Sequence, residues 1–515
     1  MNPTPRRLTT LLAGLLMGAA AGTTLADGRP DISVAVAKNP ARLDPMAENS
    51  NVNARVMKNV LETLIYTDSQ HKGALKPGLA ESWRLIDNKT LEFGLRQNVQ
   101  CHNGETFDAE DVAFSLGRER FLGEQAPGWA IGQPYLGGLE QVEVVNAHTV
   151  RIHFQQEDPL LELRFANWMS EMVCKDAYEA AGSWENWLKQ PVGTGPYRLA
   201  EVKYGDYIRL EAFDQYWGEQ APAKSVTFKE VPEIAARIAG LKTGEYDIVT
   251  ELTPDQFTLL QDDPDTRIAG GPVRIIRVIA FDEQHPQLQD PKVRQALSHA
   301  IDRQLIVDAL YQGHASVPNG LQMEVFGDLY VADHQGTPYD PDRARQLLKE
   351  AGYNGEEISY RYLQDYYTGE VNTAQILVDM WRQVGLNVKL ELKENWGQIE
   401  DAPEGRGIFN WSNSAEYPDP LGQIYRLYGP EGWFQRNQTY SSDAFNEWGE
   451  QLKSTDKRQR VQAMRELLEI YERQDPPGTY LHTLPMLYGV RAQLQWTPTD
   501  NPFMDLGARM LRIRG

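Results

Sequence analysis

Between Asp340 and Leu392 the chain spells out helix, strand, helix and strand in turn, and this run restricts the fold more than any other stretch. Asp340 can cap a helix with Pro341 at its first position. Ala344, Leu347, Leu348 and Ala351 then recur at the i, i+3, i+4, i+7 spacing of one helical face, and Gly352 stops it. Residues 358–362 read as a strand. A second helix turns Ala374, Leu377, Val378 and Trp381 to one side and ends at Gly385. Val388, Leu390 and Leu392 alternate with polar residues, as in a strand with one buried face. Strand, helix and strand in this order imply a right-handed crossover in a parallel sheet, and the wider alternation points to mixed α/β lobes.

Other segments agree. Asp290-Pro291 opens a helix with Val293, Leu297, Ala300 and Ile301 inward, and Asp302 can cap the next, which ends near Gly313. In the first third, residues 91–95 and 150–154 alternate as half-buried strands. Asn103-Gly104 marks a turn, and residues 108–114 can begin a helix. Gly193-Thr194-Gly195-Pro196 is a tight breaker where one chain segment can cross another.

The N-terminus reads as an address rather than a fold. Arg6 and Arg7 precede an apolar stretch over residues 11–21, and Thr24-Leu25-Ala26 offers small residues for a signal peptidase. Cleavage is expected near Ala26, followed by release into the periplasm by either the general or the twin-arginine route. The apolar run is shorter than the roughly 20 residues of a membrane span.

At 515 residues the chain is long enough for more than one core, since a domain holds about 100–200 residues. A formal charge of −21 argues against nucleic acid, whose binders neutralise phosphates with basic patches. Catalytic signatures are missing: there is no G-x-S-x-G elbow, no H-E-x-x-H and no G-x-x-x-x-G-K-[ST] loop. The nine histidines are scattered without an i,i+4 pair, so no metal site and no cofactor are expected. Cys101 and Cys174 are an even pair in an oxidising compartment. They are a candidate disulfide, the alternative being two separate thiols.

Aromatic residues crowd the stretch from Trp396 to Phe434. Trp396, Trp411, Tyr417, Tyr425, Tyr428 and Trp433 are interleaved there with Asn410, Asn413, Glu416 and Asp419. As a group they read as a pocket wall, the combination of aromatic surface and a few fixed polar groups that ligand sites use.

Ordered strings carry a family resemblance over nearly the whole mature length. They are Leu43-Asp44-Pro45, Lys76-Pro77-Gly78-Leu79-Ala80-Glu81-Ser82-Trp83, His102-Asn103-Gly104-Glu105-Thr106-Phe107, and Val192-Gly193-Thr194-Gly195-Pro196-Tyr197. The helices from Asp290 to Arg303 and from Asp340 to Gly352 follow in order. The chain resembles the extracellular solute-binding proteins of ABC importers, in the dipeptide, oligopeptide and nickel class (family 5).

That resemblance implies an α/β periplasmic-binding-protein fold with two hinged lobes and an extra domain inserted in the first. Carried over, lobe one is 27–67, 190–280 and 495–515, the insert 68–189, and lobe two 281–494. It implies a monomeric receptor, not an enzyme, that captures a peptide or peptide-like solute and delivers it to the transmembrane subunits of a permease. An opine, a modified sugar or an oligosaccharide is the alternative ligand, and a periplasmic hydrolase or chaperone a remoter reading.

For the site, the resemblance implies Glu416 where peptide-binding members carry an Asp that meets the ligand's ammonium. The segment Trp411–Pro420 departs from that pattern by insertion. Trp411 and Trp396 match aromatic positions of the family pocket, with Asn413 among the interleaved polar groups. Asn51 stands where the first lobe meets the ligand, and Tyr488 matches a late aromatic.

Overall fold

The computed structural model describes residues 28–68, 73–364, 366–401 and 405–514, so the expected cleavage site near Ala26 lies outside the described residues. Ten strands form one mixed sheet. Their order is Tyr197–Lys203, Tyr207–Ala212, Ser225–Glu230, Asp31–Val36, Ile248–Val249, Gly478–Arg491, Thr266–Phe281, Ile408–Ser414, Glu357–Leu363 and Asn387–Lys393. The two ends of this sheet serve separate cores. Val34, Val226 and Phe228 pack at one end, and Ile358, Tyr360 and Trp381 at the other.

Two long strands, Thr266–Phe281 and Gly478–Arg491, run through both ends. They pair in step from Thr266 opposite Arg491 to Pro272 opposite Pro485, and pairing resumes at Ile276 opposite Thr483. Pro272 to Ile276 therefore spans four positions where Pro485 to Thr483 spans two. A bulge of this kind bends and twists a ladder, and the paired prolines have no N–H to restore it. The sheet is divided at this slip.

The run from Asp340 to Leu392 folds as its pattern predicts. Asp340 caps the helix Pro341–Ala351, and Gly352 closes it in the left-handed region at φ 70°. The strand Glu357–Leu363, the helix Glu370–Val384 and the strand Asn387–Lys393 follow, with the two strands parallel. Trp381 of the second helix is buried and donates its indole N–H to the carbonyl of Leu297 at 2.9 Å, which locks the crossover onto the helix Pro291–His299. Leu392 departs from its expected burial: it is 55% exposed, at the end of an edge strand where the cleft begins.

A second, antiparallel sheet orders Ala80–Asp87, Thr90–Leu95, Thr149–Phe154 and Leu139–Asn146 over a core that includes Leu91, Phe93, Val150 and Phe165. Beneath it Asp108 and Asp111 form a capping box on the helix Ala109–Ser115. Cys101 and Cys174 are joined in a disulfide, with Cα atoms 6.3 Å apart and both residues fully buried. With Glu105 they make up the one grouping of potential metal ligands among the described residues, and both sulfurs are committed to each other.

The Gly193–Pro196 breaker fastens this sheet to the main one. The N–H of Gly195 donates to the carbonyl of Val60 at 3.0 Å, and the N–H of His102 donates to the carbonyl of Gly193 at 2.9 Å. A Cβ on Gly195 would stand 2.6 Å from the carbonyl oxygen of Asn59, so the backbones approach closely only because glycine has none. No helix among the described residues is long and apolar enough to cross a membrane.

Candidate binding cleft

Two adjoining cavities, of about 780 and 400 Å³, open beside the slip in the sheet. Both lie within or above the lower range of small-molecule sites, roughly 300–1,000 Å³. The larger takes one wall from the first end of the sheet, through Ala37–Ala41 and the segment Glu48–Arg55. Its opposite wall comes from the other end, through Leu363, Gln364, Tyr366–Thr368 and Leu392–Trp396, and Leu484–Tyr488 of the crossing strand forms its back. The smaller cavity lies between two short helices, Trp129–Leu136 and Trp168–Ser170, which contribute Tyr135 and Trp168, and the strand carrying Trp411. Asn49, Asn51, Tyr366, Tyr367 and Trp396 line both, so the two are chambers of one cleft.

An aromatic row connects the chambers. The ring of Trp396 stands edge-on to Tyr366 at 5.0 Å and to Trp411 at 5.2 Å, and Trp411 leans on Trp433 at 4.6 Å. Edge-to-face geometry at these separations is the favoured one for aromatic pairs. The row is braced from behind. Buried Arg277 donates to the carbonyl of Trp411 and lies 3.3 Å from the ring centroid of Tyr367, whose hydroxyl donates to Ser412 at 3.1 Å.

Five of the six residues expected at the site line this cleft. Trp411 and Glu416 belong to the smaller chamber, Tyr488 to the larger, and Asn51 and Trp396 to both. Asn413 lines neither chamber: it is fully buried, although Trp411, Ser412 and Ser414 of the same strand reach the smaller one.

The expected pocket wall divides in the same way. Tyr428 and Phe434 are fully buried and pack with Phe445 in the core. Asn410 accepts from the hydroxyl of Tyr360 at 2.6 Å and donates to Glu370 at 2.6 Å, a buried network. Asp419 takes two hydrogen bonds from Arg460, at 2.6 and 2.8 Å. Of the polar residues interleaved there, Glu416 alone faces the cleft.

Glu416 is not alone in its chamber. Nη2 of Arg426 lies 3.8 Å from its carboxylate, and the two side chains are about equally buried. Arg274, almost wholly buried on the crossing strand, lines the same space and pairs with Asp500 at 3.3 Å. Burial pulls the Arg274 guanidinium below its ordinary pKa, and Asp500 and Glu416 offset that only in part. Neither arginine carries a local signal in sequence. Tyr366-Tyr367 is an aromatic pair shortly after a strand, and nothing in its spacing assigns it to the cleft.

A cleft at the bend of a divided sheet, walled from both ends, defines the class of hinged two-lobed periplasmic binding proteins. Solved structures share this fold. The peptide-bound DppA of Helicobacter pylori superposes with a TM-score of 0.83 at 21% identity, covering 95% of this chain and 99% of that one. The AgaA receptor of A. tumefaciens R10, solved with agropinic acid, gives 0.80 at 21%, covering 94% and 99%. Residues 74–435 match the bacterial extracellular solute-binding proteins, family 5, and the chain belongs to that family. Among curated relatives, the glutathione-binding protein GsiB of Salmonella typhimurium is 27% identical, over 87% of this chain and 88% of its own length. The dipeptide-binding protein of Escherichia coli K12 is 30% identical, over 67% and 68%.

Proposed function

We propose that this chain is the periplasmic receptor of an ABC importer, capturing a peptide or peptide-like solute between its lobes and presenting it to the transmembrane permease. The observation that carries the reading is the cleft itself, which is walled from both ends of the sheet and backed by the two crossing strands. Rotation about the slip at Pro272 and Pro485 closes such walls on a guest. A ligand that contacts both walls favours the closed form by the difference in its affinity for the two states. The boundaries proposed for the moving parts are 27–67, 190–280 and 495–515 for lobe one, 68–189 for its insert and 281–494 for lobe two. The receptor acts as a monomer after removal of the segment ending near Ala26, and it binds without turnover.

Relatives named for glutathione and for dipeptides support a peptide-like guest. An opine or a modified sugar is the second reading, favoured by the half-buried edges of Trp396, Trp411 and Trp433 along the cleft. Native mass spectrometry of protein purified without denaturation tests both. A retained mass of one peptide-like solute per chain is the expected result, accompanied by a saturable rise in melting temperature on re-addition. Consumption of the solute, or no saturable stabilisation by any peptide, opine or sugar, would overturn the reading.

A further inference from the structure

The smaller chamber holds a pair of opposite charges that neither partner satisfies. Glu416 and Arg426 approach to 3.8 Å, well beyond the roughly 2.7–2.9 Å of a charge-assisted hydrogen bond. The other contacts of Arg426 are also long: Nε to the carbonyl of Gly422 at 3.2 Å, Nη1 to the hydroxyl of Tyr135 at 3.5 Å and Nη2 to the carbonyl of Ser414 at 3.5 Å. Among the described residues the Glu416 carboxylate accepts no hydrogen bond, although its side chain is only 15% exposed. Arg274 gives Nη2 to Asn501 at 2.7 Å and Nε to the charge of Asp500, while its buried Nη1 has no hydrogen-bond partner among the described residues.

These four buried or half-buried charges cancel in pairs, Arg274 against Asp500 and Arg426 against Glu416, while Glu400, Glu431 and Arg436 line the same chamber only at its exposed rim. A lone ammonium on Glu416 would deprive Arg426 of its counter-charge. A lone carboxylate on Arg426 would deprive Glu416 of its own. Either guest leaves an uncompensated charge in a half-closed, low-dielectric space. A guest that brings both charges a few ångströms apart satisfies both residues and keeps the chamber neutral.

We propose that this chamber binds the zwitterionic head of an α-amino acid, ammonium and carboxylate on one carbon. The ammonium meets Glu416, and the carboxylate meets Arg426 and Nη1 of Arg274. An ordinary α-linked peptide places its ammonium and its terminal carboxylate at its two ends and does not carry both on one carbon. The head survives in peptides linked through a side chain, such as γ-glutamyl peptides, and in N-carboxyalkyl amino acids. The rest of the guest then follows the row from Trp411 to Trp396 into the chamber of about 780 Å³. This inference rests on the receptor reading above and narrows its ligand class.

Calorimetry on the mature protein tests it with matched probes. They are S-methyl γ-Glu-Cys-Gly, its α-linked isomer, an N-(1-carboxyethyl) amino acid, and Ala-Ala-Ala. The S-methyl cap keeps a free thiol from exchanging with the Cys101–Cys174 disulfide. A head-bearing probe is expected to bind at least about 100-fold more tightly than the α-linked isomer, as removal of one partner from a buried charge pair requires. Glu416→Gln and Arg426→Gln are each expected to weaken that probe by about 30-fold or more, with the melting temperature of the unliganded protein retained. Equal or tighter binding of the α-linked isomer or Ala-Ala-Ala overturns the zwitterion assignment and leaves the receptor reading standing. Loss in neither variant also overturns it. Binding of no probe at all overturns the zwitterion assignment, while the receptor reading falls only if sugars also fail to stabilise the protein.

Discussion

The hydroxyl of Tyr417 donates a 2.9 Å hydrogen bond to the backbone carbonyl of Tyr135, and both residues are almost wholly buried. The bond joins the segment after the Trp411 strand to the helix Trp129–Leu136. Arg164 donates to the same carbonyl, and Asn49 donates to the hydroxyl of Tyr135 at 2.7 Å. Tyr135 therefore ties together Asn49, Arg164 and Tyr417, which come from three separate stretches of the chain.

Tyr417→Phe removes one of these bonds without changing the packed volume. It is expected to cost about 1 kcal/mol of stability, the usual net worth of one hydrogen bond. The radius of gyration of the unliganded protein in solution scattering should rise as open forms gain population. An unchanged scattering profile and melting temperature would show that the bond does not hold the lobes.

The disulfide, with a sequence separation of 73, closes a loop that contains two of the four strands of the antiparallel sheet, Leu139–Asn146 and Thr149–Phe154. Replacing both Cys101 and Cys174 by Ala should destabilise the protein by about 2–4 kcal/mol, mainly by freeing the unfolded chain. Hydrogen exchange should locate the loss in residues 80–154 and leave the strands at 357–393 protected. Uniform loss across the molecule would contradict a local role.

Gly195 packs against the Asn59 and Val60 carbonyls, where an added Cβ would stand 2.6 and 2.8 Å away. Gly195→Ala should cost about 1–3 kcal/mol, the usual cost of overpacking, because both obstacles are backbone. A melting temperature within experimental error of the parent would mean that this crossing has room to spread.

His482 is buried against Tyr311 at 4.4 Å, and its Nδ1 donates to the carbonyl of Thr483 at 2.8 Å. Burial, opposed by that bond and aided by the charge of Arg277, pushes its pKa down to about 3. An unfolded histidine titrates near 6.5, so between those values the unfolded chain binds more protons than the folded one. The stability that the neutral ring contributes is fully present above about pH 6.5 and is lost as pH falls toward 3. His482→Leu should flatten that part of the stability–pH curve by an amount on the order of 3 kcal/mol. Parallel curves for parent and variant between pH 7 and 4 would exclude this contribution.

Much of the scaffold was legible from residue order. The helices begin at Asp290, Asp302 and Asp340, each of which accepts the expected backbone N–H. Gly352 and Gly385 end theirs in the left-handed region, at φ 70° and 98°. Such signals are local: a cap, a turn or a periodic face involves residues within a few positions of one another. Half of the site was legible for a related reason, since Trp411 and Glu416 share one ordered segment. Asn413 lies between them yet is fully buried and lines neither chamber, which its place in the strand does not reveal.

The sequence by itself determined the alternating α/β elements, the caps and breakers, and the ordered strings that mark the family. Only the tertiary structure decided which side chains share a chamber. Arg426 meets Tyr135 across a separation of 291 residues, and Arg274 meets Asn501 across 227. The physical reason is range. Periodicity and capping are set by neighbours along the chain, whereas the charge balance around Glu416 is set by segments that approach only when separate cores have formed and the divided sheet has bent.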